Sequence, residues 1–209
     1  RKSGDAKKMV MLDAVWFDGR GAEEHKIVTL YGDSIDVSGI KVSGDKDYTF
    51  TGTAFNMHAQ DSNRLKDVDY ENTLLKEGRG KPTLANGNAT YNNIADYIKL
   101  NEGTLALGDG VVITHGATVS AGTMTAESGT ALEILGQSTF NNYNINFNGD
   151  DNKLSIAREA QGLNLSGTSS LNLSNAMVQV DLNRTMDQAA ITVGEHASLY
   201  LDQSSLRLI

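Results

Sequence analysis

The sequence predicts an all-β protein that folds as a right-handed parallel β-helix, a solenoid with three short strands in each coil. The first observation behind this prediction is a train of apolar–x–apolar steps that begins at Leu105. In each step two inward side chains flank an outward one, which is the pleat of a very short strand. Such a strand cannot bury a face alone, so neighbouring coils must stack to form a core. The steps are Leu105/Leu107, Val112, Val119, Leu132/Ile134, Ile145/Phe147, Leu154/Ile156, Leu163/Leu165, Leu171/Leu173, Val178/Val180, Ile191/Val193, Leu199/Leu201 and Leu206/Leu208.

The second observation is the period of these steps. Successive steps mostly begin 7 to 9 residues apart, and a step returns after roughly one coil. The separation is 22 residues from Leu132 to Leu154, 24 from Leu154 to Val178 and 21 from Val178 to Leu199. Three strands per turn, with a coil in the low twenties, fit a three-faced parallel β-helix.

The alternative fold is a β-sandwich, which also has short strands at regular spacing. The dipeptide Asn148-Gly149 lies between two steps and is typical of a hairpin turn. Hairpin signals are otherwise scarce, and the period persists along the chain. The pattern therefore favours the solenoid over the sandwich.

The chain is expected to form one continuous solenoid segment, residues 1–209, with two regions. Residues 1–102 are expected to make irregular N-terminal coils and a cap, because glycines and a polar stretch at residues 56–72 interrupt the alternation. Residues 103–209 carry the regular coils. The alternating steps of the first region are Val28-Thr29-Leu30, Ile35-Asp36-Val37, Ile40-Lys41-Val42 and Tyr48-Thr49-Phe50.

Composition narrows the function classes. The formal net charge of −8 argues against a nucleic-acid partner, because phosphate backbones need a positive surface. The chain has no apolar run long enough for a membrane helix, so we expect no membrane insertion by this segment. It contains no cysteine, which in a secreted β-rich chain indicates stability by stacking alone or export as an uncrosslinked polypeptide. It begins without Met and ends on a strand step, and we expect it to be part of a longer protein.

Three stretches follow one another in a characteristic order. They are Gly44-Asp45-Lys46-Asp47-Tyr48-Thr49-Phe50-Thr51-Gly52, then Leu74-x-Lys76-x-Gly78-x-Gly80, then Gly103-Thr104-Leu105-x-Leu107. Together, over roughly residues 27–108, they resemble the passenger-associated strand repeat of bacterial autotransporter-type proteins. The chain departs from that pattern at Lys81-Pro82, where the family has Thr-Leu, and at Asn92-Asn93, where it often has a Gly pair. Pro82 removes a backbone donor from its strand, whereas Asn tolerates left-handed backbone.

The resemblance implies a passenger segment that a C-terminal translocator barrel exports through the outer membrane. Such a segment would be extracellular or displayed on the bacterial cell surface, as a stalk or as a contact surface for a host or a glycan. We therefore expect a non-catalytic structural or adhesive role. The alternative function is a carbohydrate-active β-helix enzyme, a polysaccharide lyase or glycosidase. That enzyme would need two or more carboxylates gathered on one face, and a glycan-binding module without catalysis would need exposed aromatic side chains in a row.

Two acidic groups are candidates for chemistry. Asp181, Arg184 and Asp187 lie in one short loop and could serve acid–base work on a polysaccharide, but no second acidic step aligns with them. A solvated loop explains them better. The turn formed by Asn148, Gly149, Asp150, Asp151 and Asn152 has oxygen ligands suited to Ca²⁺, but a calcium-binding repeat would recur and this one occurs once. The Asp45-Lys46-Asp47 group and the Asp33/Asp36 pair are weaker still.

The other candidates are explained more simply by structure. The dispersed histidines His25, His58, His115 and His196 have no metal-ligand spacing. Trp16 and Phe17 could stack on a sugar, but a cap over the first coil is the favoured interpretation. Asn141, Asn142, Asn144, Asn146 and Asn148 could form a glycan-facing strip, and a stacked Asn ladder is favoured instead. The sequence therefore predicts no catalytic, cofactor-binding or metal-binding residue, and it places any working surface in the loops after Asn56 and Val180.

Parity makes the register testable, because alternate residues of a strand face opposite sides. The outward positions are expected to be exposed: Glu133, Ser155, Asn164, Asn172 and Gln179. The inward positions are expected to be buried: Leu105, Leu107, Leu132, Ile134, Leu154, Ile156, Leu163, Leu165, Leu171, Leu173, Val178, Val180, Leu199 and Leu201.

Overall fold

The computed structural model describes residues 13–20, 25–58, 68–86, 92–94, 96–115, 121–157, 162–180 and 190–208. Within these ranges the chain is entirely strands, turns and irregular connections, with no helix. The strands are β1 (Asp13–Phe17), β2 (His25–Val42), β3 (Asp47–Met57), β4 (Thr73–Lys76), β5 (Pro82–Leu84), β6 (Asn92–Asn93), β7 (Tyr97–Leu100), β8 (Thr104–Leu107), β9 (Val111–Thr114), β10 (Gly122–Ala126), β11 (Ala131–Ile134), β12 (Ser138–Asn141), β13 (Tyr143–Phe147), β14 (Lys153–Ile156), β15 (Leu163–Ser166), β16 (Ser170–Ser174), β17 (Met177–Val180), β18 (Ile191–Val193), β19 (Ser198–Asp202) and β20 (Ser205–Leu208).

The strands stack in three ladders, and every pairing between described strands is parallel. The long strands β2 and β3 turn corners and so belong to more than one ladder. The first ladder runs β1, the end of β2, β4, β7, β10, β13, β16, β19; the second runs the start of β2, the start of β3, β5, β8, β11, β14, β17, β20; the third runs the middle of β2, the end of β3, β6, β9, β12, β15, β18.

This arrangement confirms the parallel β-solenoid with three strands per coil and excludes the β-sandwich, whose sheets are antiparallel. The Asn148-Gly149 turn connects β13 to β14, which lie on different ladders and do not pair with each other. It is therefore a corner of the coil and not a hairpin.

The coil lengths were predicted correctly in two of three cases. Leu132 pairs with Leu154, and Leu154 pairs with Val178. The expected return from Val178 to Leu199 is wrong, because Leu199 pairs with Leu171, and Val178 pairs with Leu206. The last coil is longer than the spacing suggested, since residues 181–189 add to it between β17 and β18.

Two positions in the middle of the train also needed correction. The step at Val112 has the opposite parity, because Val111 and Ile113 are the buried residues of β9 and Val112 is only partly buried. The sequence pattern also passed over β12, whose inward residue Phe140 is fully buried. β12 is the third strand of its coil and lies in the chain between the steps at Leu132 and Ile145. Val119 lies outside the described residues.

The predicted parity holds through the regular coils. The predicted inward leucines, isoleucines and valines from Leu105 to Val178 are buried. The predicted exposure of the outward residues is wrong, because the side chains stacked on either side half-bury all five of them: Glu133, Ser155, Asn164, Asn172 and Gln179. The predicted burial of Leu199 and Leu201 is wrong, and Leu201 is 65% exposed. Both face inward by register with β16, but no further coil of the described chain covers them, and a cavity of about 250 Å³ opens there. The side chain of Val180 lies outside the described residues.

The first described coil shows what covers the other end of the core. The ring of Phe17 packs edge-on against Tyr48 and Phe50, with centroids 5.5 and 5.0 Å apart. Phe17 therefore acts as the expected cap. Trp16 does not act as a cap. It precedes Phe17 on β1, so its side chain points to the opposite side of the strand and is 55% exposed.

The glycines of the resembling motif stack at one corner of successive coils. Gly44, Gly78 and Gly103 all have positive φ, at 92°, 74° and 79°. A Cβ on Gly78 would lie 2.5 Å from the carbonyl oxygen of Gly44, and one on Gly103 would lie 2.6 Å from that of Gly78. The backbones can approach this closely only without side chains.

Lys76, the lysine of the same motif, is fully buried at the end of β4. Its Nζ donates to the carbonyl oxygens of Glu77 and Glu102, each at 3.0 Å, and to that of Gly78. Burial lowers the pKa of Lys76 to about 8, against the opposing effect of nearby carboxylates, Glu102 first. The amino group thus serves the backbone oxygens of two neighbouring coils.

Pro82 is accommodated because it is the first residue of β5, where a missing donor disturbs the ladder least. It pairs by register with Tyr48, whose backbone N–H donates to the carbonyl oxygen of Lys81 at 3.2 Å.

Candidate binding surface

The outward side of the first ladder carries two long rows of side chains in register. Each row gains one side chain per coil, about 4.8 Å apart along the stack. The first row is Trp16, Lys41, Leu75, Lys99, Thr125, Asn146, Asn172 and Tyr200, and the second is Thr73, Tyr97, Thr123, Asn144, Ser170 and Ser198.

Three exposed aromatic side chains lie on this surface. Trp16 is 55% exposed, Tyr97 46% and Tyr200 61%. Tyr97 and Tyr200 are separated by four coils, because Tyr97 is on β7 and Tyr200 on β19. Sequence analysis singled out neither tyrosine, although each lies next to an inward apolar residue of its strand. Tyr97 is in the second row and Tyr200 in the first, and their place on the same face became visible only when the register of the ladder was known.

Between these tyrosines lies a neutral patch, which we name the polar panel. Its side chains are amides and hydroxyls, all half-buried. Asn172 Nδ2 donates to Asn146 Oδ1 at 2.7 Å and to Ser170 Oγ at 3.2 Å, and Ser170 Oγ donates to Asn144 Oδ1 at 2.9 Å. The polar panel consists of Thr123, Thr125, Asn144, Asn146, Ser170 and Asn172.

The run of asparagines that drew attention in the sequence is divided by the fold. Asn144 and Asn146 lie on the first ladder, and the stacking expected there is confirmed by the bond between Asn146 and Asn172. Asn141 lies on the third ladder, where it donates to Thr114 Oγ1 at 3.2 Å. Asn142 is at the corner between the two, with φ of 58°, and Asn148 is exposed beyond β13.

The third ladder carries a second amide stack at its other end. Asn93 Nδ2 donates to Asn56 Oδ1 at 2.9 Å, and Asn56 Nδ2 donates to Asp36 Oδ1 at 2.8 Å. His58 Nε2 lies 2.7 Å from Asn56 Nδ2 and 3.6 Å from Asp36 Oδ1. These contacts join adjacent coils and hold the side chains in place, as Asn ladders do in other stacked sheets.

The opposite end of the first ladder is charged. Lys41 Nζ lies 3.0 Å from Glu77 Oε2, 3.7 Å from Asp69 Oδ2 and 5.7 Å from the centroid of the Trp16 ring. Partial burial lowers the pKa of Lys41, but the hydrogen bond and charge of Glu77 and the charge of Asp69 outweigh it, so the pKa is raised. Lys41 is therefore a stable cation between two carboxylates. Trp16 is held in place by its Nε1 donating to Ser43 Oγ at 2.8 Å.

In the acidic turn at residues 148–152, the Asn152 side chain links the turn to the neighbouring coil. Asn152 is buried, and its Oδ1 accepts from the backbone N–H of Gly149 at 2.7 Å. Its Nδ2 donates to the carbonyl oxygen of Glu127 at 2.6 Å and to Thr130 Oγ1 at 3.0 Å. The Asn152 side chain is therefore used by the backbone of its own and the neighbouring coil. Asp150 and Asp151 are exposed beside it.

The remaining site candidates do not converge. Asp47 Oδ1 accepts from the backbone N–H of Lys81 at 2.7 Å, and Asp45 pairs with Arg79 at 3.4 Å. Among the described residues no group of three or more His, Cys, Asp or Glu could hold a metal ion. Asp181, Arg184 and Asp187, the side chain of His25 and most of the loop after Asn56 lie outside the described residues.

Two further results bear on the class of protein. Within the described ranges there is no helix long and apolar enough to cross a membrane. No protein-family model, curated protein or solved structure matches the chain. The likeness to passenger repeats is therefore carried by the sequence pattern, and the solenoid fold by the structure itself.

Proposed function

We propose that the chain is a non-catalytic segment of an exported bacterial protein, released or displayed on the cell surface, where it acts as a stalk that presents a lateral contact surface. The observation that carries the proposal is the corner built by Lys76 and the glycine stack. The residues that resemble the passenger repeat are those that let one coil lie directly on the next. They have a structural purpose, and stacking coils are suited to folding in sequence after export.

Surface display is the testable consequence of this proposal. An antibody raised against residues 96–157 should label intact cells that make the full-length protein, and protease added outside should remove the epitope or release it to the medium. A cytoplasmic protein of the same cells is the control, which must stay unlabelled and intact. Labelling only after the cells are permeabilised, with no antigen in the medium, would contradict the proposal.

A carbohydrate-active enzyme remains the second candidate because of the charged end of the first ladder. There Asp69 and Glu77 share the Lys41 ammonium beside the exposed Trp16 ring. Glycosidic cleavage uses two carboxyl groups, one of which must hold a proton. Here both carboxylates pair with the same ammonium group, at 3.7 and 3.0 Å, so the arrangement is that of a surface ion pair.

A substrate screen separates the two candidates. The proposed function predicts no turnover of neutral or uronic-acid polysaccharides, with or without calcium. Turnover that is lost in Asp69→Asn or Glu77→Gln would favour the enzyme at the charged end. Turnover lost in Asp181→Asn or Asp187→Asn would favour the enzyme at the acidic loop.

A further inference from the structure

The polar panel has the shape and dimensions of an extended linear site. It spans the coils between Tyr97 on β7 and Tyr200 on β19, and successive coils are about 4.8 Å apart. Four coils therefore separate the strands of the two tyrosines by about 19 Å along the stack. Tyr200 is also offset from Tyr97 by one row across the face. The spacing of about 4.8 Å between coils is close to the length of one pyranose unit in an extended chain, so one sugar would lie over each coil.

The chemistry of the panel suits a ligand rich in hydroxyl groups. An asparagine side chain offers two donors and an acceptor with two lone pairs, more than the internal bonds of the panel use. Among the described residues nothing donates to Asn172 Oδ1 and nothing accepts from Asn144 Nδ2. The internal bonds fix the amide rotamers in advance, which lowers the entropy lost on binding.

The charges of the chain and of the polar panel indicate whether a neutral or an anionic oligosaccharide fits. The whole chain has a formal net charge of −8, yet all six side chains of the panel are neutral. A uronic-acid or sulfated chain would meet a negative protein, and the cation beside the panel, Lys99, lies at the Tyr97 end with its Nζ 5.3 Å from the centroid of the Tyr97 ring. A neutral chain meets amides, hydroxyls and, at each end, a tyrosine ring with an apolar face and a polar tip. At the Tyr97 end the Lys99 ammonium lies over one face of the ring, which leaves the other face for a sugar.

A second copy of the chain fits this surface poorly. Interface cores are enriched in aromatic and apolar side chains, whereas the panel would bury amides and hydroxyls against identical groups. Amides that are already partly bonded within their own panel would lose water without gaining a complete set of new partners.

We propose that a neutral oligosaccharide binds along the outward face of the first ladder, over the polar panel, with Tyr97 and Tyr200 stacking on sugar rings at its two ends. This inference deepens the proposed contact surface and rests on that function for its biological setting. The binding chemistry itself depends only on the described residues.

The probes are neutral β-linked hexasaccharides of glucose, mannose and N-acetylglucosamine, with a hexamer of galacturonic acid as the anionic comparison. Calorimetry on the folded chain should detect at least one neutral probe with a Kd below the millimolar range, and no binding of the anionic one. Tyr97→Ala and Tyr200→Ala should each raise Kd about tenfold. Tyr31→Ala is the matched control, because Tyr31 is 79% exposed on β2 away from the first ladder, and it should leave Kd unchanged.

Circular dichroism of each variant confirms that the fold is retained, and Tyr97→Trp should keep binding because it keeps the ring. No binding of any neutral probe, preference for the anionic probe, or an equal loss in Tyr31→Ala would each overturn the inference. Sedimentation that shows a dimer abolished by Tyr97→Ala would overturn it in favour of a second copy. Surface display without glycan binding defeats only this inference, whereas glycan binding by a protein that stays inside the cell defeats only the proposed function.

Discussion

At the scale of single residues, the most informative side chain is Lys76. A lysine on an inward position would ordinarily be excluded from a core, because a buried charge without partners is costly. Here the chain turns a corner directly after β4 and presents carbonyl oxygens from two coils to the ammonium group. The motif lysine is thus explained by backbone geometry, and its glycine partners by the close approach of the same two coils.

Replacing Lys76 by Met should lower the free energy of unfolding by about 1–3 kcal/mol, because the corner carbonyl oxygens lose their donor. Lys153→Met is the matched control, since Lys153 lies on an outward position of β14, and it should change stability by no more than about 0.5 kcal/mol. Urea unfolding followed by circular dichroism measures both. Equal stability of the two variants would contradict the role given to Lys76.

The pH dependence provides a second readout of the same variant. The pKa of Lys76 is about 8 in the folded chain and 10.5 in its ordinary state. Between these values the unfolded chain binds more protons than the folded one, so this group makes stability rise with pH through that window. The stability difference between the native chain and Lys76→Met should therefore widen from pH 8 towards pH 10. A difference that narrows would show that the folded state favours the protonated amine.

At the scale of the strand, two apolar residues around one outward residue were enough to predict most of the core. Leu132, Leu154 and Leu165 are buried as their steps required. The pattern failed where a strand contributes a single large side chain, as β12 does with Phe140, and where two apolar neighbours compete, as Val111 and Val112 do. It also failed at Leu201, because burial depends on the next coil, which the residues of one strand do not specify.

Leu165 and Gln179 test this assignment at the strand level. Leu165→Asp places a carboxylate in the core beside Phe140 and should cost roughly 3 kcal/mol or more. Gln179→Asp changes an outward position on β17 and should stay within about 0.5 kcal/mol. Thermal or urea unfolding compares the two, and similar losses for both would show that the two positions do not lie on opposite faces.

At the scale of the whole molecule, stacking converts a local repeat into long surfaces that no single strand contains. The solenoid, its three ladders and most inward residues could be predicted, because they follow from local periodicity. The candidate binding surface could not, because Tyr97 and Tyr200 are about a hundred residues apart in sequence and reach the same face only through the register of the coils between them. Coil lengths vary with the insertions at the corners, and short-range spacing does not record that variation.

Register is therefore the central claim, and distances between outward positions of one ladder test it most directly. The chain contains no cysteine, so pairs of introduced cysteines can carry spin labels at defined sites. Thr83, Ala106, Glu133, Ser155 and Gln179 form one outward row of the second ladder. Labels at Thr83→Cys with Ser155→Cys, and at Thr83→Cys with Gln179→Cys, should report backbone separations of about 14 and 19 Å, a difference of one coil spacing. Separations that do not increase by about 4.8 Å from the first pair to the second would contradict the stacked register on which the contact surface depends.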